Sequence, residues 1–272
     1  MVQGGIKPVL WGQNLAAWLV ATALCVAVAR KPLLVAPNFR FGLILMLAAV
    51  VTLGLTLLCP GLEGVHRWLN IGSVRLHVAS IVLPAFLIGL GDVQSERGEW
   101  TARLLILVTA GLLAAQPDAA QATAFAIAAG IHWLFRKPIR GAMGFIESFA
   151  LLGLMIITWM RPDPLESVPH VEGIIGLAAA INPACASVAV GFLSILPVPF
   201  FVASHQWRES CHWRSALALG AYFATTLLAP TVGNFPVPLM GYGASPILGY
   251  FIGLGWVSIR SAEARFRTQS IE

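Results

Sequence analysis

Charge is what this chain has least of. Only 11% of its 272 residues are Asp, Glu, Lys or Arg, against 58% hydrophobic residues and a mean hydropathy of +0.81. Soluble domains carry roughly a quarter charged residues, so a soluble globule is excluded. Cysteine is scarce as well. Cys25, Cys59, Cys185 and Cys211 form neither a CxxC nor a His-rich spacing, which argues against a disulfide framework or a zinc site. Most of them fall in or beside apolar runs, where cysteine behaves as a small hydrophobe. No linker, low-complexity tract or internal repeat interrupts the chain. One domain over 1–272 is expected, without the repeat symmetry of many transporters.

What fills the chain is a succession of apolar stretches. About 17–25 apolar residues cross a bilayer as a helix. Such spans read near 10–29, 41–58, 77–91, 103–115, 119–135, 141–160, 172–203 (broken by Asn182-Pro183), 213–232 and 244–259. The expected fold is all-α, a polytopic membrane protein of about nine transmembrane helices. Of the 17 basic residues, all but Lys7, Arg67, Arg75 and Arg161 fall on one set of loops. The positive-inside rule then puts the N-terminus outside and the C-terminus in the cytoplasm. The net charge of +5 is a topology signal directed at anionic membrane lipids, and no nucleic-acid partner is expected. Ala27-Val28-Ala29 resembles a cleavage site, but Arg30-Lys31 after the span favours a retained anchor.

The basic-poor loops, 60–76, 116–118, 161–172 and 233–245, hold the polar chemistry. In Phe235–Ser245, two prolines one residue apart stop any helix. Gly241-Tyr242-Gly243-Ala244-Ser245 then sets permissive backbone beside polar side chains. A proline-rich connector alone requires neither Tyr242 nor Ser245, so this loop is a candidate for recognition. Arg67 beside Trp68 is either an interfacial anchor or a planar fork for phosphate. Gln116-Pro117-Asp118 opens a helix, with Asp118 as its cap or as part of an anionic site. Glu172 either caps the next helix or acts as a general base at the hydrocarbon rim. His170 is a loop histidine or an orienting partner for that carboxylate. Glu147 inside a span is a functional candidate, or a carboxylate paired near Arg140 or snorkelled. His132, beside Trp133 and Arg136, reads as interfacial.

These motifs, in this order, resemble the SEDS family (shape, elongation, division and sporulation). Gly64–Gly72 resembles its G-A-R-R-W-I-x-L-G, and Gln116-Pro117-Asp118 the start of its Q-P-D-L-G-T. Asp163-Pro164-Leu165 resembles the second half of D-P-x-x-D-P-L-G, and Pro169–Ile175 resembles A-H-T-D-F-I-F. Pro236–Ser245 resembles P-x-P-x-x-x-Y-G-G-S, with Ala244 for the second glycine. The family polymerises peptidoglycan glycan strands. The resemblance therefore implies glycosyl transfer between undecaprenyl-diphosphate-linked saccharides such as lipid II, at the outer face of the bacterial cytoplasmic membrane. It puts Glu172 at the catalytic aspartate's position and Arg67 with Trp68 at the diphosphate. Gln116, Asp118, Asp163, His170, Pro238, Tyr242, Gly243 and Ser245 would shape the substrate site. A divalent cation, Mg or Mn, would neutralise the leaving diphosphate. A class B penicillin-binding protein is the implied partner.

The departures are specific. The family's Q-P-S-E reads His77-Val78-Ala79-Ser80, a basic residue expected further along is Leu83, and the large outer loop shrinks to 161–172. The first two spans resemble the family's second and third. Two alternatives follow: a non-catalytic homologue that binds lipid-linked precursor or a division or elongation partner, and a small-solute transporter or lipid flippase.

Overall fold

A computed structural model of the chain describes residues 7–30, 39–72, 74–93, 96–135, 142–161, 163–241 and 243–269. It begins with helices α1 (Pro8–Arg30) and α2 (Phe39–Thr56), then a hairpin of β1 (Trp68–Ile71) and β2 (Val74–His77). Helices α3 (Val78–Asp92), α4 (Glu96–Ala115), α5 (Ala119–Leu134) and α6 (Ala142–Met160) follow. After a loop come α7 (Ile174–Ile181), α8 (Pro183–Ile195), α9 (Val198–Gln206), α10 (Trp213–Leu228) and α11 (Ala244–Gln269), with one 3-10 turn at Ala229–Thr231.

The architecture is helical, as expected, with two local differences. The hairpin escaped notice because each strand has only four residues and Gly72, at φ 61, supplies the reversal. The run expected as one broken span over 172–203 is three helices. Asn182 is extended (φ −160, ψ 127) and its side chain accepts from the N–H of Ala184 at 2.9 Å, while Pro183 takes the first helical position. That combination ends α7 and starts α8 afresh. The break before α9 is different: Pro197 is the N-cap itself, with helical backbone (φ −73, ψ −17) and no side-chain cap bond.

Helix α3 runs through the centre, where Leu83, Phe86 and Leu87 are fully buried. Gly42 of α2 faces Gly89 of α3 so closely that a Cβ on Gly89 would lie 2.5 Å from the carbonyl oxygen of Gly42. Small residues of this kind let membrane helices approach backbone to backbone. Aromatic edges lock the rest: Phe86 on Phe125 of α5, 5.2 Å between centroids, and Trp18 of α1 on Phe251 of α11 at the same distance.

Around this core the outward faces are apolar. Leu19 on α1, Phe145 on α6 and Phe192 on α8 are 64%, 70% and 70% exposed, which suits contact with acyl chains rather than water. Four helical stretches, Trp11–Arg30, Phe39–Thr56, Gly98–Ala115 and Pro183–Gln206, are long and apolar enough to cross a membrane, and shorter apolar helices stand beside them. This is a multi-pass membrane protein. Asn14 near the start of α1 touches the loop before α11, and Cys25 lies near Ser258. The two helices are therefore parallel, and the described chain enters and leaves the bundle at opposite ends.

Two sequence readings are made specific here. His132, in the last turn of α5, is 4% exposed and lies 3.4 Å from the hydroxyl of Ser215. Glu147 is paired, but its partner is Arg103 of α4, 2.5 Å away, with Glu99 on the same guanidinium at 2.6 Å. Arg140 lies outside the described residues. All the cysteines are free.

Candidate functional site

The basic-poor loops converge on a single cavity of about 450 Å³, lined by residues from the hairpin, the α4–α5 turn, the 163–172 loop and the loop before α11. Eight of the sequence candidates line it: Arg67, Trp68, Asp118, Asp163, Glu172, Pro238, Gly243 and Ser245.

Arg67 clasps the wall together. Its Nη2 donates to Oδ2 of Asp163 at 2.7 Å and to the carbonyl of Pro117, and its Nε donates to the carbonyl of Gln116 at 3.3 Å. Its side chain is 7% exposed and that of Asp163 31%. One guanidinium thus ties the hairpin, the α4–α5 turn and the 163–172 loop, using the fork geometry that distinguishes Arg from Lys. Gln116 stands behind this clasp rather than in the cavity. Its amide donates to Leu53 O at 3.0 Å and to Thr56 Oγ1 at 2.6 Å on α2.

Asp118 caps α5 as expected, its Oδ1 accepting from the N–H of Gln121 at 3.3 Å. Its Oδ2 faces Nε2 of His77 at 2.9 Å. Burial raises the carboxyl pKa, but the charges of Arg67 and His77 and the bonds from His77 and the Gln121 N–H outweigh it and hold the group below its ordinary range. Ionised Asp118 is thus a fixed acceptor in the wall.

From His77 the polar chain continues inward. Its Nδ1 lies 2.6 Å from Oγ of Ser80, which accepts from Nε2 of Gln121 at 3.3 Å, and Gln121 Oε1 accepts from the hydroxyl of Tyr222 at 2.5 Å. The backbone N–H of His77 donates to Oγ of Ser245 at 2.8 Å. Strand register explains the placement. His77 pairs with Trp68, and Arg75 lies two residues earlier on the same face; Trp68, Arg75 and His77 all line the cavity.

Glu172 lies half-buried on the opposite side, and its Oε2 accepts from the N–H of Val168 at 2.7 Å. It does not cap α7, whose N-cap is Gly173 without a side-chain bond. The loop before α11 is held by Asn14, which donates to Gly241 O at 2.8 Å and accepts from Gly243 N at 3.0 Å. Val237 N donates to Val171 O at 3.2 Å, joining that loop to the Glu172 segment. His170 is half-buried and outside the lining, and Tyr242 falls outside the described residues. Leu83 is fully buried in the core.

His77, Ser80, Gln121 and Tyr222 were missed as site residues. One signal was available: Asp118-Ala119-Ala120-Gln121 has capping-box spacing, which turns a residue at the fourth position back toward the cap.

Against known proteins, no protein-family model matches the chain, and no curated protein matches its sequence. Solved structures do. The rod shape determining protein RodA of Thermus thermophilus superposes with a TM-score of 0.56 at 19% identity, over 93% of this chain and 87% of that one. An Asp-to-Ala mutant of it gives 0.66 at 17%, over 93% and 88%. The chain has the RodA fold. A chain of a peptidoglycan synthase complex that coordinates polymerisation and crosslinking also matches, with a TM-score of 0.58 at 19% identity over 93% of this chain and 89% of that one. RodA is a SEDS protein, so the resemblance read from the loops holds at the level of fold. The RodA fold also accounts for why motifs far apart in sequence meet at one end of the bundle.

Proposed function

We propose that this protein is a SEDS-type glycosyltransferase of the bacterial cytoplasmic membrane. The observation that carries the reading is the convergence of the motif-bearing loops on one cavity within the RodA fold. The excess of basic residues on the other loops supports an outward-facing cavity, with the N-terminus outside and the C-terminus in the cytoplasm.

In this reading an undecaprenyl-diphosphate-linked saccharide such as lipid II enters from the bilayer. A hydroxyl of the acceptor sugar gives its proton to Glu172 and attacks the anomeric carbon. The bond from that carbon to the diphosphate oxygen breaks, and the lipid diphosphate leaves beside the positive charge of Arg67. Carboxylates at Asp163 and Glu166 accept from sugar hydroxyls, and Trp68 offers an apolar ring face. Among the described residues no three of His, Cys, Asp and Glu group as metal ligands; a Mg or Mn ion arriving with the diphosphate would be held by one or two of the cavity carboxylates and would neutralise the leaving group. The match to a peptidoglycan synthase complex supports a class B penicillin-binding protein as partner.

A non-catalytic homologue that binds the same lipid is the second reading. It is favoured by the heavy engagement of Arg67 and by the bond from the Val168 N–H to Glu172. Glycan polymerisation from purified lipid II separates the two. Polymer made by the wild type and lost in Glu172→Gln supports the enzyme. Lipid II binding without polymer, with and without a partner, supports the binding protein.

A further inference from the structure

The inner wall of the cavity holds a constellation that glycosyl transfer does not use. Oδ2 of ionised Asp118 can only accept, so Nε2 of His77, 2.9 Å away, carries a proton. In the neutral ring Nδ1 is then the acceptor, and the hydroxyl of Ser80, 2.6 Å away, must donate to it. The amide of Gln121 is oriented by Tyr222, whose hydroxyl donates to Oε1 at 2.5 Å; the Nε2 end is left to donate to Ser80 Oγ at 3.3 Å. With the imidazole neutral, the chain ends with the Ser80 proton aimed at Nδ1 of His77.

Serine, imidazole and buried carboxylate in that order activate a hydroxyl for nucleophilic attack, here with the two ring nitrogens exchanged relative to the usual arrangement. Helix capping does not account for it. His77 is the N-cap of α3, yet its ring makes no bond to the helix backbone. Ser80, 6% exposed, and His77 both line the cavity. They stand at the first turn of α3, where the N–H groups of His77 and Val78 are taken by Ser245 Oγ at 2.8 Å and by the carbonyl of Arg67 at 3.1 Å.

The lining also indicates an electrophile. Leu62, Leu165, Val168, Phe223 and Phe235 supply apolar wall, fit for an acyl chain arriving from the membrane.

We infer that Ser80 is a nucleophile toward the acyl ester of an amphipathic lipid, activated by His77 and Asp118. Ser80 Oγ bonds to the carbonyl carbon while His77 takes its proton. The ester C–O bond breaks, and His77 returns the proton to the departing alcohol. Water, deprotonated by the same imidazole, then releases the fatty acid and restores Ser80.

The test is covalent labelling of the purified full chain with a fluorophosphonate, read by peptide mass spectrometry, together with p-nitrophenol release from p-nitrophenyl octanoate. The expected result is an adduct on Ser80 and ester turnover that Ser80→Ala abolishes. His77→Gln should slow labelling at least about a hundredfold. Asp118→Asn, which preserves the shape and the α5 cap, should slow it at least about tenfold and guards against misreading a misfolded His77 variant. No adduct on Ser80, ester turnover unchanged in Ser80→Ala, or a labelling rate indifferent to both other substitutions overturns the inference. Lipid II polymerisation plays no part in this assay, so its result is independent of the proposed glycosyl transfer.

Discussion

Nη2 of Arg67 lies 2.7 Å from Oδ2 of Asp163, a residue 96 positions further along the chain. The contact closes the wall of the cavity, because the same guanidinium also holds the carbonyls of Gln116 and Pro117.

The two partners are unequal. Asp163→Ala leaves Arg67 with its carbonyl partners, and the lost carboxylate is nearly a third exposed, so the cost should be about 1 kcal/mol. Arg67→Ala strands two buried carbonyls and unties three segments, and should cost about 3 kcal/mol. Thermal unfolding in detergent checks the ranking. Equal losses in Tm would contradict the clasp.

Asp118 gives a signed pH dependence. Its folded pKa is below the ordinary 3.8, so its stabilisation is fully present above that value and is lost as pH falls through the folded pKa. Asp118→Asn keeps a capping oxygen but loses the charge, and should lower stability by about 1–3 kcal/mol at neutral pH. The difference between wild type and variant should shrink only below 3.8. A gap that stays constant down to the acid transition would contradict the assignment.

Glu147 and Arg103 meet between α6 and α4, with side chains 10% and 17% exposed. Glu147→Leu alone leaves Arg103 half-compensated inside the bundle and should cost about 3 kcal/mol. Arg103→Met with Glu147→Leu should recover most of that loss, since Glu99 is free to turn outward. Additive losses in a double-mutant cycle would show that the pair is not coupled.

Gly241 controls the site without facing it. A Cβ there would lie 2.5 Å from Val171 O and 2.9 Å from Val237 O, so Gly241→Ala must push the loop before α11 away from the Glu172 segment. A cost of about 1–3 kcal/mol in stability is expected, with at least about tenfold weaker retention of lipid-linked saccharide. Calorimetry and native mass spectrometry read the two effects. Unchanged retention would mean the two loops do not jointly form the site.

Most helices were legible because membrane spans leave an unmistakable apolar record, and α3, α5 and α6 begin within a residue or so of their expected starts. The loops were legible by motif: Arg67, Asp118, Asp163, Glu172 and Ser245 meet as the order of motifs implies. Tertiary pairings were not. Nothing local marks Tyr222 as the partner of Gln121, or Ser215 as the neighbour of His132, because each contact joins residues many positions apart. His77 and Ser80 stood out only as departures from a resembling motif. Their partnership appears once the hairpin turns His77 toward Asp118.

The central claim is that this cavity holds a lipid-linked saccharide. Native mass spectrometry of the detergent-purified protein with lipid II tests it most directly, comparing wild type with Glu172→Ala and Asp163→Ala in the cavity and Leu58→Ala on an exposed surface. One lipid II should bind per chain, with retention weakened at least about tenfold by each cavity substitution and unchanged in Leu58→Ala. Equal retention across all the variants, or none in the wild type, would contradict it.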